Sequence, residues 1–343
     1  MFAPGQPAPY FVAPTVSSPE FVFDTAGGRY VLMLFLPPVE AAREPLAALS
    51  RNQGLFDDAK VSAFVVLRDP QSLQGVKDVR GLRWVQDTTG AITKGYGGEP
   101  HWLLLDPTLR VMAGWPIGAE AEVFARVAAL PPVAEHAGVP LHAPVLIAPR
   151  ILEPELCAAL IALHRETGGE ATGVMRDVGD RTVAVMDELK KRRDIWLPDG
   201  ELKDAVQARL ERRLYPLIKL GLGFRVTHVE RFLVSCYDAD DGGVFHAHRD
   251  NTTQGTAHRN FACSLNLNDD FEGGDLRFPE FGRATYRPPP GGAVVFSCGL
   301  MHEALRITRG RRYAFLPFFH DEAGAKILAA YQARVAAKEA APA

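Results

Sequence analysis

Apolar positions in the first third of the chain come in blocks. Tyr30 to Leu36 (YVLMLFL) and Val61 to Leu67 (VSAFVVL) are continuous apolar runs of strand length. Between them, PPVEAAREPLAALSRNQGLF spaces its apolar residues at helical intervals. Strand, helix, strand at this spacing predicts a βαβ unit with a right-handed crossover and a sheet that is at least partly parallel. Trp102 to Leu105 (WLLL) and Val111 to Trp115 (VMAGW) flank Asp106-Pro107-Thr108, which predicts a hairpin. An Ala-rich helical pattern covers Glu120 to Leu130. Pro131, Pro132, Pro140 and Pro144 then break the periodicity, so a domain of residues 1–130 is expected to end in a linker over 131–144.

The pattern changes from Val145. VLIAP predicts a strand and Glu153 to Leu163 a helix closed by Gly168-Gly169. Residues 201–220 predict a second helix, which Pro216 should kink or end early. Beyond Gly223 the chain reads FRVTHVERFLVSCY, VFHAHRDN, NFACSLNLN, GDLRF, ATYRP, AVVFS, ALRIT and RRYAFLPFF, with Gly, Asp and Pro between. Short strands at this spacing predict an all-β sandwich or barrel, here over 145–322, followed by a helix at Ala323 to Ala337 within a tail of 323–343. The segments Gly169 to Asp194 and Thr252 to Asn260 read as loops.

Composition narrows the function classes. In 343 residues, Lys+Arg number 38 and Asp+Glu 41, and no basic stripe marks a nucleic-acid footprint. No run of eighteen uncharged apolar residues occurs, so no membrane partner is expected. The opening residues lack a basic n-region and an apolar h-region, which makes a cytoplasmic protein the expectation. The four cysteines, Cys157, Cys236, Cys263 and Cys298, lie far apart without metal-knuckle spacing and read as buried core thiols.

Over roughly Pro4 to Leu130, the order of elements resembles the thioredoxin fold in its peroxiredoxin-like version, as does Glu99-Pro100 before the WLLL strand, where that fold carries a cis-proline. At the place of that family's reactive cysteine, the chain reads Leu36-Pro37-Pro38-Val39-Glu40, and residues 1–156 contain no cysteine. Thiolate chemistry needs a thiolate. The first part therefore reads as an α/β thioredoxin-like scaffold or docking surface.

The second part carries the candidate chemistry. In an extended chain, residues two apart point to one face, so His248 and Asp250 can reach one point. His302 follows the strand GGAVVFS and can lie opposite them. Two imidazoles and a carboxylate offered from one side match the facial triad of non-haem Fe(II), with positions left open. Ten residues on, Arg312 shares a strand face with Ala314 and Leu316, away from Arg311, Tyr313 and Phe315. An arginine turned into an apolar barrel needs a partner, and a ligand carboxylate can be one.

From Cys236 through Asn251 (CYDADDGGVFHAHRDN), with FEGGDLRF (271–278) and PGGAVVFSCGLMHEALRITRGRRYAF (290–315), the constellation resembles the Fe(II)- and 2-oxoglutarate-dependent dioxygenases, in their prolyl 4-hydroxylase-like branch. The resemblance spans about Val145 to His320. It implies a double-stranded β-helix (jelly-roll, cupin-like) domain with packing helices. His248, Asp250 and His302 become the iron ligands, Arg312 the anchor of the distal carboxylate of 2-oxoglutarate, and Tyr237 a hydrogen-bond partner of that cosubstrate. Asp238 to Asp241 lengthen the turn after Tyr237 beyond the family pattern. The implied reaction consumes 2-oxoglutarate and O2, releases succinate and CO2, and hydroxylates an unactivated C–H bond, on a protein or peptide side chain such as proline. Ascorbate as rescuing reductant is a family-level expectation, and a homodimer is a separate expectation for this chain.

Other readings stand beside these. His246 has the parity of His248 and is expected at the substrate mouth, while His258 is expected to be a solvated loop residue. Arg309 and Arg311 are rivals to Arg312 expected at the surface. LKKRRD (189–194) reads as a solvated face, with a basic patch that steers an acidic or peptide substrate as its other reading, and Phe278, Phe296, Phe315, Phe318 and Phe319 read as barrel core. The same ligand set suits a zinc hydrolase or a non-catalytic metal-binding barrel, and a sensor whose first domain binds a partner is the alternative from outside enzymology.

Overall fold

The computed structural model describes residues 2–37, 39–69 and 77–340. The chain divides into two compact units. One is Met1–Ala143 with Phe278–Ala284, and the other is Pro144–Arg277 with Thr285–Ala343.

The first unit is built on a five-stranded sheet in the order Leu82–Gln86, Val61–Leu67, Tyr30–Phe35, His101–Leu105, Val111–Pro116. The first three strands run parallel to one another, and the last two pair antiparallel, as the predicted hairpin requires. Tyr30–Phe35 is buried along its whole length because both faces are covered. Val31, Met33 and Phe35 pack in one cluster with Phe64 and Val66, and Tyr30, Leu32 and Leu34 in another with Ala63 and Val65. A strand covered on both faces reads as an unbroken apolar run, which is why periodicity found it. Of the segment Leu36 to Glu40, Pro38 and the side chains of Val39 and Glu40 lie outside the described residues.

One expectation fails here. No cis peptide bond occurs among the described residues, so Glu99-Pro100 is trans. Gly97 and Gly98, at φ +108° and +84°, turn the chain before the proline reaches the strand, and an X–Pro bond left unforced prefers trans by about 0.5–1 kcal/mol.

The second unit has two main sheets. The larger runs His228–Glu230, Phe318–His320, Phe261–Asn266, Arg311–Phe315, Leu233–Asp238, Arg193–Trp196, Glu170–Ala171. Ala293–Ser297 is paired onto Phe261–Asn266, and Leu146–Ala148 pairs beyond it. The smaller runs Lys190–Lys191, Val244–His248, His302–Ala304, Leu276–Arg277, Thr285–Tyr286. Extensive antiparallel pairing of this kind is consistent with a jelly-roll core. Helices Pro154–Thr167, Glu201–Arg209 and Tyr215–Leu222 give Leu160, Val206 and Ile218 to a cluster with Val234, Leu265 and Phe315 of the larger sheet. Side chains of both sheets line a cavity.

Four expectations are corrected. Pro216 does not end its helix, because a π turn at Leu210–Leu214 rephases the chain and puts the proline in the first turn of Tyr215–Leu222, where its missing N–H costs nothing. Gly169 to Asp194 is not a bare loop: Val174–Val178 and Arg181–Val185 form a hairpin, and Lys190–Lys191 joins the smaller sheet. Phe278 is buried but opens the segment Phe278–Ala284 that belongs to the first unit, since Pro279 ends the strand Leu276–Arg277. The last helix is longer than expected, at Glu322–Ala340. No helix among the described residues is long and apolar enough to cross a membrane.

Candidate metal centre

His248 ends the strand Val244–His248, and His302 opens the strand His302–Ala304. The two are direct cross-strand partners in the smaller sheet. The second histidine therefore comes from the neighbouring strand and not from across the barrel. Asp250 follows two residues after His248, pinned by its N–H donating to the Cys298 carbonyl at 3.0 Å. Its carboxylate oxygens lie 3.5 Å from His248 Nε2 and 3.2 Å from His302 Nε2. One ligand atom from each of the three residues falls within 4.8 Å of the others.

Ring orientation is set by the backbone. The His248 Nδ1–H donates to the His246 carbonyl at 2.7 Å, and the His302 Nδ1–H to the Leu300 carbonyl at 3.0 Å. In both rings this holds the tautomer whose bare Nε2 faces the carboxylate, as a metal-ligating imidazole requires. Burial first, and then the neighbouring His302, lower the His248 pKa. Burial alone would raise the Asp250 carboxyl, but His302 and the His248 hydrogen bond outweigh it, and the group sits well below the usual carboxylate range. Two imidazole nitrogens and one carboxylate oxygen on one side are a donor set that fits a divalent iron.

A β-bulge explains the fate of His246. Phe245 pairs with Ala304 and His248 with His302, so His246 and Ala247 on one strand stand against Glu303 alone on the other. The parity shifts: Phe245 and His248 both face the cavity and stack at 3.5 Å, while His246 is exposed and absent from the lining. The expectation of His246 at the mouth is thereby overturned.

Arg312 is 2% exposed and faces inward on Arg311–Phe315, with Leu316 on the same side. Its Nε donates to Asn266 Oδ1 at 3.0 Å and its Nη2 to Ser264 Oγ at 2.6 Å. The Asn266 amide is oriented by its own donation to the Pro288 carbonyl at 3.0 Å. Among the described residues no carboxylate pairs with Arg312, and burial pushes its pKa below the ordinary value. Its rivals lie at the surface as expected, Arg309 on Glu272 at 2.7 Å and Arg311 on Asp238 at 2.6 Å. Tyr237 is the cross-strand neighbour of Arg312, whose guanidinium carbon lies 5.4 Å from the tyrosine ring centroid.

Several residues that the sequence reads as solvated are buried. LKKRRD is not a solvated face: strand alternation turns Lys190, Arg192 and Asp194 inward and leaves Arg193 outside. Arg192 chelates Asp194, at 2.9 Å from its Nε, and donates from Nη1 to the Tyr237 hydroxyl at 3.1 Å. His258 is also buried, its Nε2 2.7 Å from Glu230, which Arg259 clamps at 2.6 Å. The signal that could have found the first group was the alternation inside the run, hidden because five of its six residues are charged. The four cysteines are buried and free as expected, and burial raises Cys157 and Cys236 to about 11.

Residues 232–320 match the family model of the 2OG-Fe(II) oxygenase superfamily. This stretch is a 2OG-Fe(II) oxygenase domain, a family that implies Fe(II), 2-oxoglutarate and O2. Similar solved structures include a Pseudomonas putida prolyl-4-hydroxylase (22% identity, 52% of this chain and 94% of that one, TM-score 0.42). Another is the viral collagen prolyl hydroxylase of Paramecium bursaria Chlorella virus-1 in its 2OG complex (14%, 51% and 94%, 0.39). A third is a Trichoplax adhaerens prolyl hydroxylase in complex with a hypoxia inducible factor oxygen degradation domain peptide fragment (16%, 61% and 96%, 0.41). No curated protein matches the chain.

Proposed function

We propose that His248, Asp250 and His302 hold one Fe(II), that Arg312 receives the distal carboxylate of 2-oxoglutarate with Tyr237 beside it, and that the product is a hydroxylated protein or peptide side chain, prolyl in the first instance. The convergence of three ligand atoms, with both imidazole tautomers set by backbone carbonyls, carries this reading. Bound Fe(II) supplies the oxidative chemistry, in which 2-oxoglutarate and O2 become succinate and CO2 while a C–H bond becomes C–O–H. The chain supplies the rest. Ser264 and Asn266 occupy one edge of the Arg312 fork and fix its plane, so its remaining N–H groups are aimed before the cosubstrate arrives. Arg192 donates to the Tyr237 oxygen, which leaves the hydroxyl proton for an acceptor in the cavity. Phe245, Phe296 and Leu316 keep the walls between these groups apolar.

We read the second unit as a double-stranded β-helix and the first as a thioredoxin-like domain without a reactive thiol, supported by the sheet order of the first and by the absence of cysteine from residues 1–156. Incubation with Fe(II) and labelled 2-oxoglutarate tests the assignment: the wild type should release labelled CO2 even without substrate, and His248→Ala should fall to background. A chain that binds both ligands and never turns over would instead favour the sensor.

A further inference from the structure

Part of the cavity is continuous with solvent, so its lining is open to an incoming substrate. Its charges are unbalanced. Lys190, Arg192, Arg231, Arg249, Arg259 and Arg312 line it, against the single carboxylate of Asp250. Glu230 balances Arg259, and Asp194 serves both Arg192 and Lys190, the latter only at 3.7 Å. Arg249 donates to the Gly299 carbonyl. With Arg312 given to 2-oxoglutarate, Arg231 is left with no carboxylate in ion-pair range among the described residues, while Lys190 shares Asp194 and donates from Nζ to Thr172 Oγ1 at 2.6 Å and to the Gly173 carbonyl at 3.0 Å.

Arg231 is held for a purpose its own contacts do not explain. Its backbone stands at φ +70°, a left-handed conformation uncommon for a side chain of this size, and such strain collects at binding sites. Its guanidinium carbon lies 5.0 Å from the Phe318 ring centroid and 5.8 Å from that of Trp196, and its buried Nε has no partner. Lys190 and Arg192 both sit over the Phe245 ring, at 5.6 Å, and that ring stacks on His248. These two thus stand one aromatic ring away from a proposed iron ligand, with Arg231 beside them in the lining. Their strain is also electrostatic. Burial and then Arg192 lower the Lys190 pKa to about 7, and burial, Arg192 and Arg259 lower Arg231 to about 10, so an incoming anion relieves both.

We infer that the substrate carries a carboxylate received by Arg231 and Lys190, so that the hydroxylated atom belongs to an acidic molecule, either a peptide with Asp or Glu beside the modified residue or a small organic acid. The inference rests on the reading above, since it takes this cavity for the substrate chamber. Its test uses the full-length protein with three pools of capped hexapeptides, each containing proline and a fixed neighbour that is Glu, Gln or Lys, and N-acetylglutamate as a small acid. Binding is read by calorimetry with Mn(II) and 2-oxoglutarate bound, and succinate release with Fe(II).

The Glu pool should bind about tenfold or more tighter than the Gln pool, the worth of a charge-assisted hydrogen bond, and the Lys pool least. Arg231→Gln and, independently, Lys190→Gln should shrink that preference toward unity, and Arg231→Lys should keep most of it. A preference for the Glu pool supports an acidic peptide, and tight binding of N-acetylglutamate alone supports a small acid. Equal binding of the Glu and Gln pools with no binding of N-acetylglutamate, or a preference untouched in both Gln variants, overturns the inference. Preference without succinate from any arm keeps the anion site and sinks the dioxygenase assignment beneath it.

Discussion

At the scale of single residues, the centre depends on side chains whose freedom has been removed by neighbours. Arg312 shows this most plainly: its fork is braced on one edge by Ser264 and Asn266, and only a planar guanidinium can use both the brace and a ligand carboxylate. Arg312→Lys should therefore raise the KM for 2-oxoglutarate about 10- to 100-fold, the loss of a bidentate charged contact, with a smaller effect on kcat. Initial rates against 2-oxoglutarate concentration check the split. Asp194 is the second dependency. Its fully buried carboxylate takes hydrogen bonds from Arg192, Ser235 and Thr172, and Asp194→Asn leaves two buried cations without their anion, which should cost about 3–5 kcal/mol in denaturant unfolding.

The pH dependence follows from the same groups. Burial opposes ionisation of Asp194 and Glu230, but their cationic partners hold both near 2, below the unfolded values of about 4. Their stabilisation is complete above about pH 4–5 and is lost as pH falls toward 2, so stability should drop through that window, with less of a drop in Asp194→Asn. That His248, Asp250 and His302 converge and that Arg312 turns inward was legible because these residues carry chemistry that few structural roles demand. Lys190, Arg192 and His258 were not, because a charge run and a polar loop look solvated until tertiary pairing buries them.

At the scale of elements, bulges and braces decide where side chains point. The extra residue between Phe245 and His248 reverses the parity that simple alternation assigns, which is why His246 was misplaced while His248 was not. A one-residue irregularity leaves no trace in a hydrophobic pattern. The hairpin Val174–Val178 and Arg181–Val185 was illegible for a related reason: its faces are half-exposed, so its alternation is weak. It is fastened from outside, by the Thr182 N–H donating to Tyr331 Oη at 2.7 Å and by Gly255 N–H donating to Thr182 Oγ1 at 2.7 Å. Because Gly173, Val174 and Met175 line the cavity, this fastening sets one of its walls. Tyr331→Phe removes one bond worth about 0.5–1.5 kcal/mol, and amide hydrogen exchange should quicken several-fold in the hairpin while the strand Phe261–Asn266 keeps its protection.

At the scale of the whole molecule, two compact units with separate apolar clusters share one chain, and only the second holds the candidate site. The βαβ run of the first unit was plain in the sequence because its strands Tyr30–Phe35 and Val61–Leu67 are buried on both faces, whereas the return of Phe278–Ala284 to that unit crosses so many residues that no local pattern announces it. Ligands at about 100 times their dissociation constant add about 2.7 kcal/mol to the unit that binds them. In calorimetry, Mn(II) with 2-oxoglutarate should therefore raise one transition by about 5–10 °C and leave the other in place.

The claim beneath all of this is that one ferrous ion sits on three named side chains. Anaerobic loading followed by gel filtration and iron analysis counts it directly: the wild-type chain should retain one Fe(II), and the His248→Ala, Asp250→Ala and His302→Ala chains close to none while remaining folded. Stoichiometric iron retained by any two of those folded variants would contradict the account.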